Sequence, residues 1–244
     1  MLCKIEEELT TGSISPRTES DTLSVQFIDI YRGLIYDLPK TYFAFDLAGE
    51  DTFVHRTLHT FFSVIFKDFK LDWANSHSIG SKARRQPEGG EGKRPDLQIT
   101  RKGHTIATLE IKPPSFDRRS NVYLSDRWKL ASLAKDALDV QLRLNVDLPF
   151  HAAIQVFGHR MEINTMTLHQ GVYHFHCVHH VYLPRARDDV GTVCNTIRAL
   201  LSVEAWLDKF EFPPQYLPHG ARTPPRKAND VKMTLLTPTK RPLF

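Results

Sequence analysis

The strongest constraint on the fold of this chain is a pair of short segments in which polar and apolar residues alternate. The segments are RPDLQIT and HTIATLEIK, and the connection between them contains Lys102 and Gly103. Alternation with a period of two is typical of β-strands that bury one face, and a glycine in the connection indicates a tight turn. The sequence therefore predicts a β-hairpin over about residues 94–112.

The register of this hairpin follows from the same alternation. The odd positions are apolar: Leu97, Ile99, Leu109 and Ile111. A three-residue loop centred on Gly103 would bring them onto one apolar face and would set Asp96 opposite Glu110. A two-residue loop would instead set apolar positions against polar ones. With the three-residue loop, the Cβ atoms of Asp96 and Glu110 lie about 4.5 to 5.5 Å apart.

The polar face of the hairpin has the residue types that phosphodiester hydrolysis needs. Glu110 and Lys112 point to the same side of their strand, and Asp96 faces Glu110 across the hairpin. Two facing carboxylates repel each other unless a small cation lies between them, and carboxylate oxygens are ligands that Mg²⁺ prefers. A metal lowers the pKa of bound water, and a lysine beside it orients or helps to deprotonate that water. The pattern therefore points to metal-dependent hydrolysis.

The rest of the chain predicts one mixed α/β domain. Apolar residues recur at helical spacing in three segments, and further runs read as short strands. The predicted helices lie at about 51–68, from an N-cap at about Ser125, and at 188–208, and the further strands at about 71–73, 151–157, 161–168 and 171–183. Because helices and strands are mixed along the chain, the fold class is α/β.

The two ends of the chain differ in composition from its body. Residues 1–22 are polar and irregular and predict a flexible N-terminal segment. Residues 211–244 contain seven prolines, six lysines or arginines and two acids, which predicts a basic tail without regular structure. The folded domain is therefore expected to span residues 23–210.

Charge, cysteine content and hydropathy limit the partners. The net charge is +4, but residues 77–145 hold fourteen basic and eight acidic residues, so the positive charge is concentrated in the middle of the chain, where it could attract phosphates. The three cysteines, Cys3, Cys177 and Cys194, do not form a disulfide framework. The first residues lack the apolar core of a signal peptide, and no apolar run is long enough for a membrane span. We expect an intracellular protein with no membrane partner.

Pro95-Asp96, followed after thirteen residues by Glu110-Ile111-Lys112, resembles the signature of the PD-(D/E)xK nuclease superfamily. The resemblance implies a restriction-endonuclease-like αβββαβ core over about residues 50–157, with a mixed central sheet, extra C-terminal strands and a closing helix. Together with the strand EIKPP, the later run from Gln155 to Gly158 is similar to an expanded, uncharacterised set of fungal proteins in this superfamily.

The resemblance also implies roles for individual residues. Asp96 and Glu110 would bind Mg²⁺ or Mn²⁺, the carbonyl of Ile111 would be a third ligand, and Lys112 would be the catalytic lysine. An acid on the first helix often completes such a site, and Glu50 matches best, with Asp51 as its rival.

Basic residues near this motif would bind the nucleic acid backbone. They are Arg94, Lys129 and Lys135. The expected function is a nuclease that hydrolyses phosphodiester bonds in DNA, with RNA as the alternative substrate. One alternative is a catalytically inactive module of the same fold that binds nucleic acid or protein. Another is an unrelated α/β interaction protein, in which Asp96 and Glu110 would lie far apart.

Overall fold

The computed structural model describes residues 19–40, 49–73, 77–78, 80–82, 92–116, 120–144, 146 and 150–208. The expected N-terminal segment, apart from residues 19–22, and the proline-rich tail lie outside these ranges.

Six strands form a single sheet in which neighbours along the chain are neighbours in space. Four of the five strand pairs are antiparallel, and only the pair of β3 and β4 is parallel. The strands are β1 (Lys70–Trp73), β2 (Leu97–Arg101), β3 (His104–Lys112), β4 (Phe150–Phe157), β5 (Arg160–His169) and β6 (Val172–Tyr182). The parallel step requires a crossover connection, which the long helix between β3 and β4 provides. The predicted mixed α/β class is confirmed.

The described helices include one that the sequence patterns did not predict. They are α1 (Glu19–Asp37), α2 (Glu50–Phe53), a π-helical segment (Val54–Leu58), α3 (His59–Ile65), α4 (Ser120–Arg143) and α5 (Val190–Asp208). The first of these begins inside the expected flexible segment. None of the described helices is long and apolar enough to cross a membrane.

The predicted start of the second helix was wrong. Helix α4 begins at Ser120, and Ser125 is an exposed residue inside it rather than its N-cap. The earlier turns are held by tertiary contacts, because Tyr123 bonds to Glu162 on the sheet at 2.6 Å. Contacts of this kind override a local capping signal.

The helices cover the two faces of the sheet unequally. Helices α1, α3 and α5 pack on one face and form the main apolar core, whereas α4 packs on the other with a small apolar cluster. The core includes the four odd hairpin positions, as predicted: Leu97, Ile99, Leu109 and Ile111. The even positions beyond the bulge, Thr108 and Glu110, therefore lie beneath α4.

The β2–β3 hairpin reaches the predicted register by a different route. Its turn has only two residues, Lys102 and Gly103, both with positive φ (49° and 82°), so the expected three-residue loop was wrong. The pairing then shifts between Ile99 and Thr100, where the opposite strand has one extra residue. Beyond this bulge Leu97 pairs with Leu109, as predicted, because the extra residue restores the parity that the shorter turn would have reversed.

Candidate functional site

Acidic and basic side chains meet where β3 leaves the sheet. They come from four parts of the fold: the first turn of α2, the residue before β2, the end of β3, and the second and third turns of α4. The side chains are Glu50, Asp96, Glu110, Lys112, Asp126 and Lys129. The alternation of β3 places Glu110 and Lys112 on the α4 side, so this helix closes the site.

Glu110 is the most deeply buried acid of the group. Its residue is only 2% exposed, and the Lys129 ammonium lies 2.6 Å from Oε1 and 2.7 Å from Oε2. Burial raises the pKa of Glu110 to about 7, the negative charge of Asp96 adds to this, and Lys129 opposes it. Such a carboxylate needs a cation close by in order to stay ionised.

Asp96 lies beside Glu110, as the register predicts. Its backbone N–H donates to the Leu109 carbonyl at 3.0 Å, and its Oδ2 accepts from the Ile111 N–H at 2.6 Å. The carboxylate is therefore held by the backbone on both sides of Glu110. This placement argues against the alternative of an unrelated α/β interaction protein, in which Asp96 and Glu110 would lie far apart.

Lys112 lies on the same side of the site. Its Nζ donates to the Ile111 carbonyl at 3.0 Å and lies 3.6 Å from Oδ2 of Asp126. Burial raises the pKa of Asp126, and Lys112 opposes that shift. The sequence reasoning missed Asp126, although its position three residues before Lys129 puts both on one side of a helix.

Glu50 completes the acidic group at the start of α2. Although much of the residue is exposed, its carboxyl is partly shielded from water, which raises its pKa, and the charge of Asp96 raises it further. Within the described ranges, no three His, Cys, Asp or Glu side chains converge closely enough to hold a metal ion. The two lysine ammonium groups lie among the acids instead.

The three basic residues expected to bind a nucleic acid backbone have different surroundings. Lys129 is engaged with Glu110 inside the site. Lys135 pairs with Asp139 at 2.7 Å, further along α4. Arg94 is exposed, and its Nε lies 3.1 Å from Nε2 of His77.

A second group of polar side chains adjoins the site on the same face of the sheet. Strand pairing puts Glu110, Gln155 and Glu162 side by side on β3, β4 and β5, and we call these three residues the polar row. The Gln155 amide donates to the Tyr123 carbonyl at 2.8 Å, and both Glu110 and Glu162 are bonded to side chains of α4. The row thus ties the site to the neighbouring strands.

Glu162 lies at the β5 end of the polar row and is buried, like Glu110. It accepts bonds from Tyr123 Oη at 2.6 Å and Arg127 at 2.9 Å, and it also pairs with Arg160. The hydrogen bond from Tyr123 and the charge of Arg160 outweigh the effect of burial and lower the pKa of Glu162. The sequence reasoning did not single out this residue, although an acid inside the apolar run MEINTM was a usable signal.

Comparison of the chain with protein-family models, with curated proteins and with solved structures finds no match. The residues and geometry of the site are therefore the basis for a functional proposal.

Proposed function

We propose that this protein is a metal-dependent nuclease of the PD-(D/E)xK type, which hydrolyses phosphodiester bonds in DNA or RNA. The observation that carries the proposal is the buried Glu110 carboxylate, with its pKa raised to about 7, beside Asp96 and two residues before Lys112. Burying an acid beside a second acid costs stability unless a cation compensates them, so this arrangement is expected where a cation is needed for function. An intracellular location remains a prediction from the cysteine content.

The donor set fits Mg²⁺ or Mn²⁺. Asp96 and Glu110 offer carboxylate oxygens and Ile111 offers a backbone carbonyl, all of them hard ligands, and Glu50 lies near enough to Asp96 to interact with its charge. When bound, the metal would lower the pKa of a water molecule and neutralise charge in the transition state. Lys129, which contacts both Glu110 oxygens, and Lys112, which donates to the Ile111 carbonyl, must both move for the metal to bind these atoms.

The chain's own residues would position the reactants. The Ile111 N–H fixes the Asp96 carboxylate, and Asp126 would hold the Lys112 ammonium when the Ile111 carbonyl binds the metal. From there the Lys112 ammonium can donate hydrogen bonds that orient the attacking water and stabilise the negative charge of the transition state. Lys129, once displaced from Glu110, is close enough to pair with a substrate phosphate.

Cleavage assays with and without metal test this proposal. Labelled single-stranded and duplex DNA and RNA are incubated with Mg²⁺, Mn²⁺ or EDTA. We expect cleavage only with metal. Asp96→Asn and Glu110→Gln weaken the binding of the metal, and Lys112→Ala removes a donor to the reacting groups, so each should slow cleavage by at least about 100-fold. Arg198→Gln on α5, on the opposite face, is the matched control. If Lys112→Ala cuts as fast as the parent protein, another site or a contaminant is responsible.

A second candidate function is a catalytically inactive module that binds nucleic acid. The observation that favours it is the Lys129 ammonium within 2.7 Å of both Glu110 oxygens, since this lysine supplies the cation that the acids need. Calorimetric titration with Mn²⁺ separates the two candidates. For a nuclease, the parent protein binds Mn²⁺, and Lys129→Met binds it more tightly because a competing cation is gone. For the inactive module, neither protein binds Mn²⁺, and nucleic acid is bound without cleavage.

A further inference from the structure

A cleft of about 400 Å³ lies beside the polar row, between α4 and the β5–β6 hairpin. Its walls are mainly aromatic and aliphatic, and they include Trp128, Met166, Tyr173 and Phe175. Leu124 and Trp128, at 50% and 49% exposure, leave large apolar side chains open to solvent at its edge. Exposed apolar surface of this kind marks a binding site more often than chance.

One side of the cleft carries an excess of positive charge. Arg127, which lines the cleft, and Arg160 both contact the single carboxylate of Glu162. The two arginine side chains are 32% and 48% exposed, whereas that of Glu162 is 5% exposed. A guanidinium has five N–H donors, so each of these partly exposed arginines keeps donors that Glu162 does not use. Glu162 therefore holds both arginines in place but neutralises only one of their two positive charges. The pair can still bind an anion such as phosphate.

These arginines are close to the candidate site. The polar row runs from Glu110 through Gln155 to Glu162 on adjacent strands. Because paired strands are about 4.8 Å apart, the backbones at Glu110 and Glu162 are separated by roughly 10 Å. Lys112, Phe157 and Arg160 follow the same pairing at the next position along the same face. The cleft and the candidate site are therefore close enough for one strand to contact both.

We propose that the cleft binds an unpaired base of a single-stranded nucleic acid, whose phosphate is held by Arg127 and Arg160. The substrate class rests on the proposed function, and the proposal adds that the strand is single-stranded. In a duplex the bases are stacked inside the helix and reach such a cleft only if they are flipped out. A base stacked on Trp128 would use the exposed aromatic surface, and the arginines would compensate the adjacent phosphate.

A peptide is the other class of occupant that the walls would accept. An uncharged apolar peptide would fill the cleft but would leave the excess charge of Arg127 and Arg160 without a counterpart. A nucleotide uses both the aromatic wall and the cationic side, so charge complementarity favours it.

Binding without metal tests the proposal independently of cleavage. A fluorescein-labelled single strand of about 12 nucleotides, within the usual site size, is titrated with protein in EDTA and followed by anisotropy. We expect Trp128→Ala and Arg160→Gln each to weaken binding at least about fivefold, the lower end of the range for loss of one stacked base. Trp128→Phe, which keeps an aromatic ring, and Arg198→Gln, on the opposite face, should stay within about twofold of the parent. Thermal melts confirm that each variant is folded.

The outcomes separate this proposal from the nuclease proposal. Binding that is unchanged in Trp128→Ala and Arg160→Gln, binding of a duplex as tight as that of the single strand, or no binding of either would overturn the cleft as a base site. Cleavage with Mg²⁺ that does not depend on Trp128 or Arg160 would also overturn it while the nuclease function stands. Binding that depends on Trp128 without cleavage under any metal would support the cleft and reject the nuclease.

Discussion

The two faces of the sheet are both buried, but they are buried by different chemistry. The face covered by α1, α3 and α5 is the main apolar core, in which aromatic side chains such as Phe61 and Phe62 are fully buried. The face covered by α4 has a small apolar cluster and a series of buried polar side chains. These are Thr108, Glu110, His151, Gln155, Glu162 and Asn164. One face accounts for most of the apolar stabilisation, and the other holds the buried titratable side chains Glu110, His151 and Glu162.

The polar face is also less well satisfied. Within the described residues, His151 Nδ1, Gln155 Oε1 and Asn164 Oδ1 are buried without a hydrogen-bond partner. An unsatisfied buried polar atom costs about 1 to 3 kcal/mol. A face that keeps several of them is not optimised for stability alone, which is the behaviour expected of a functional surface. The pH dependence of stability should therefore come from this face, and three predictions test that difference.

The largest expected effect concerns His151. Complete burial lowers its pKa to about 3 from an ordinary 6.5, and its Nε2 lies 3.0 Å from Thr108 Oγ1. Below pH 6.5 the unfolded chain takes up a proton that the folded chain refuses. The free energy of unfolding should therefore fall as the pH drops from about 6.5 towards 3, by up to about 5 kcal/mol. Urea melts across this range should show that His151→Gln reduces this fall.

A core substitution on the other face is the control for His151. Phe62 is fully buried and contacts Phe66 and Trp73. Phe62→Ala should lower the free energy of unfolding by about 3 to 5 kcal/mol. That loss should be the same at pH 4 and pH 7, because no titratable group is removed. Two results together would contradict the assignment of pH sensitivity to the polar face. The first is a Phe62→Ala loss that changes with pH, and the second is a His151→Gln protein whose free energy of unfolding still falls fully in acid.

The second prediction concerns Glu110, whose pKa shift has the opposite consequence. Because burial raises the pKa to about 7 from 4.5, the folded chain keeps a proton that the unfolded chain has lost within this window. Stability in EDTA should therefore fall as the pH rises from about 4.5 to 7, by up to about 3 kcal/mol. Glu110→Gln should remove this fall in urea melts. Asp29→Asn on α1 makes the same change in charge on the other face and is the control. If Asp29→Asn also removed the fall, the effect would come from net charge and not from Glu110.

The hairpin shows which parts of these faces could be predicted from sequence. The alternation of Leu97, Leu109 and Ile111 was sufficient to assign the apolar face, because burial of one strand face depends on local periodicity. It could not give the two-residue turn and bulge, because two different loops lead to the same register. Glu162 and its partners were missed because they come together only through the pairing of β4 with β5 and the docking of α4.

The chemistry of the site was predictable to a similar extent. Asp96, Glu110 and Lys112 could be placed together because they lie on one hairpin, where register is short-range. Lys129 was expected at a phosphate but contacts Glu110 instead. That contact depends on how α4 crosses the sheet, which no local pattern records. The same limit explains why Asp126 was not foreseen.

The smallest expected effect concerns a turn outside the polar face, where a substitution should change stability without changing nucleic acid binding. The β5–β6 turn consists of Gln170 and Gly171, both with positive φ (50° and 79°), at the end of the sheet opposite the start of β5. Asparagine tolerates this conformation better than glutamine, so Gln170→Asn should raise the free energy of unfolding by about 0.5 kcal/mol and the melting temperature by about 1 to 2 °C. Oligonucleotide binding should stay unchanged, because the turn contributes no side chain to the polar row. A melting temperature that fell, or binding that changed along with it, would mean that the turn and the polar face are coupled.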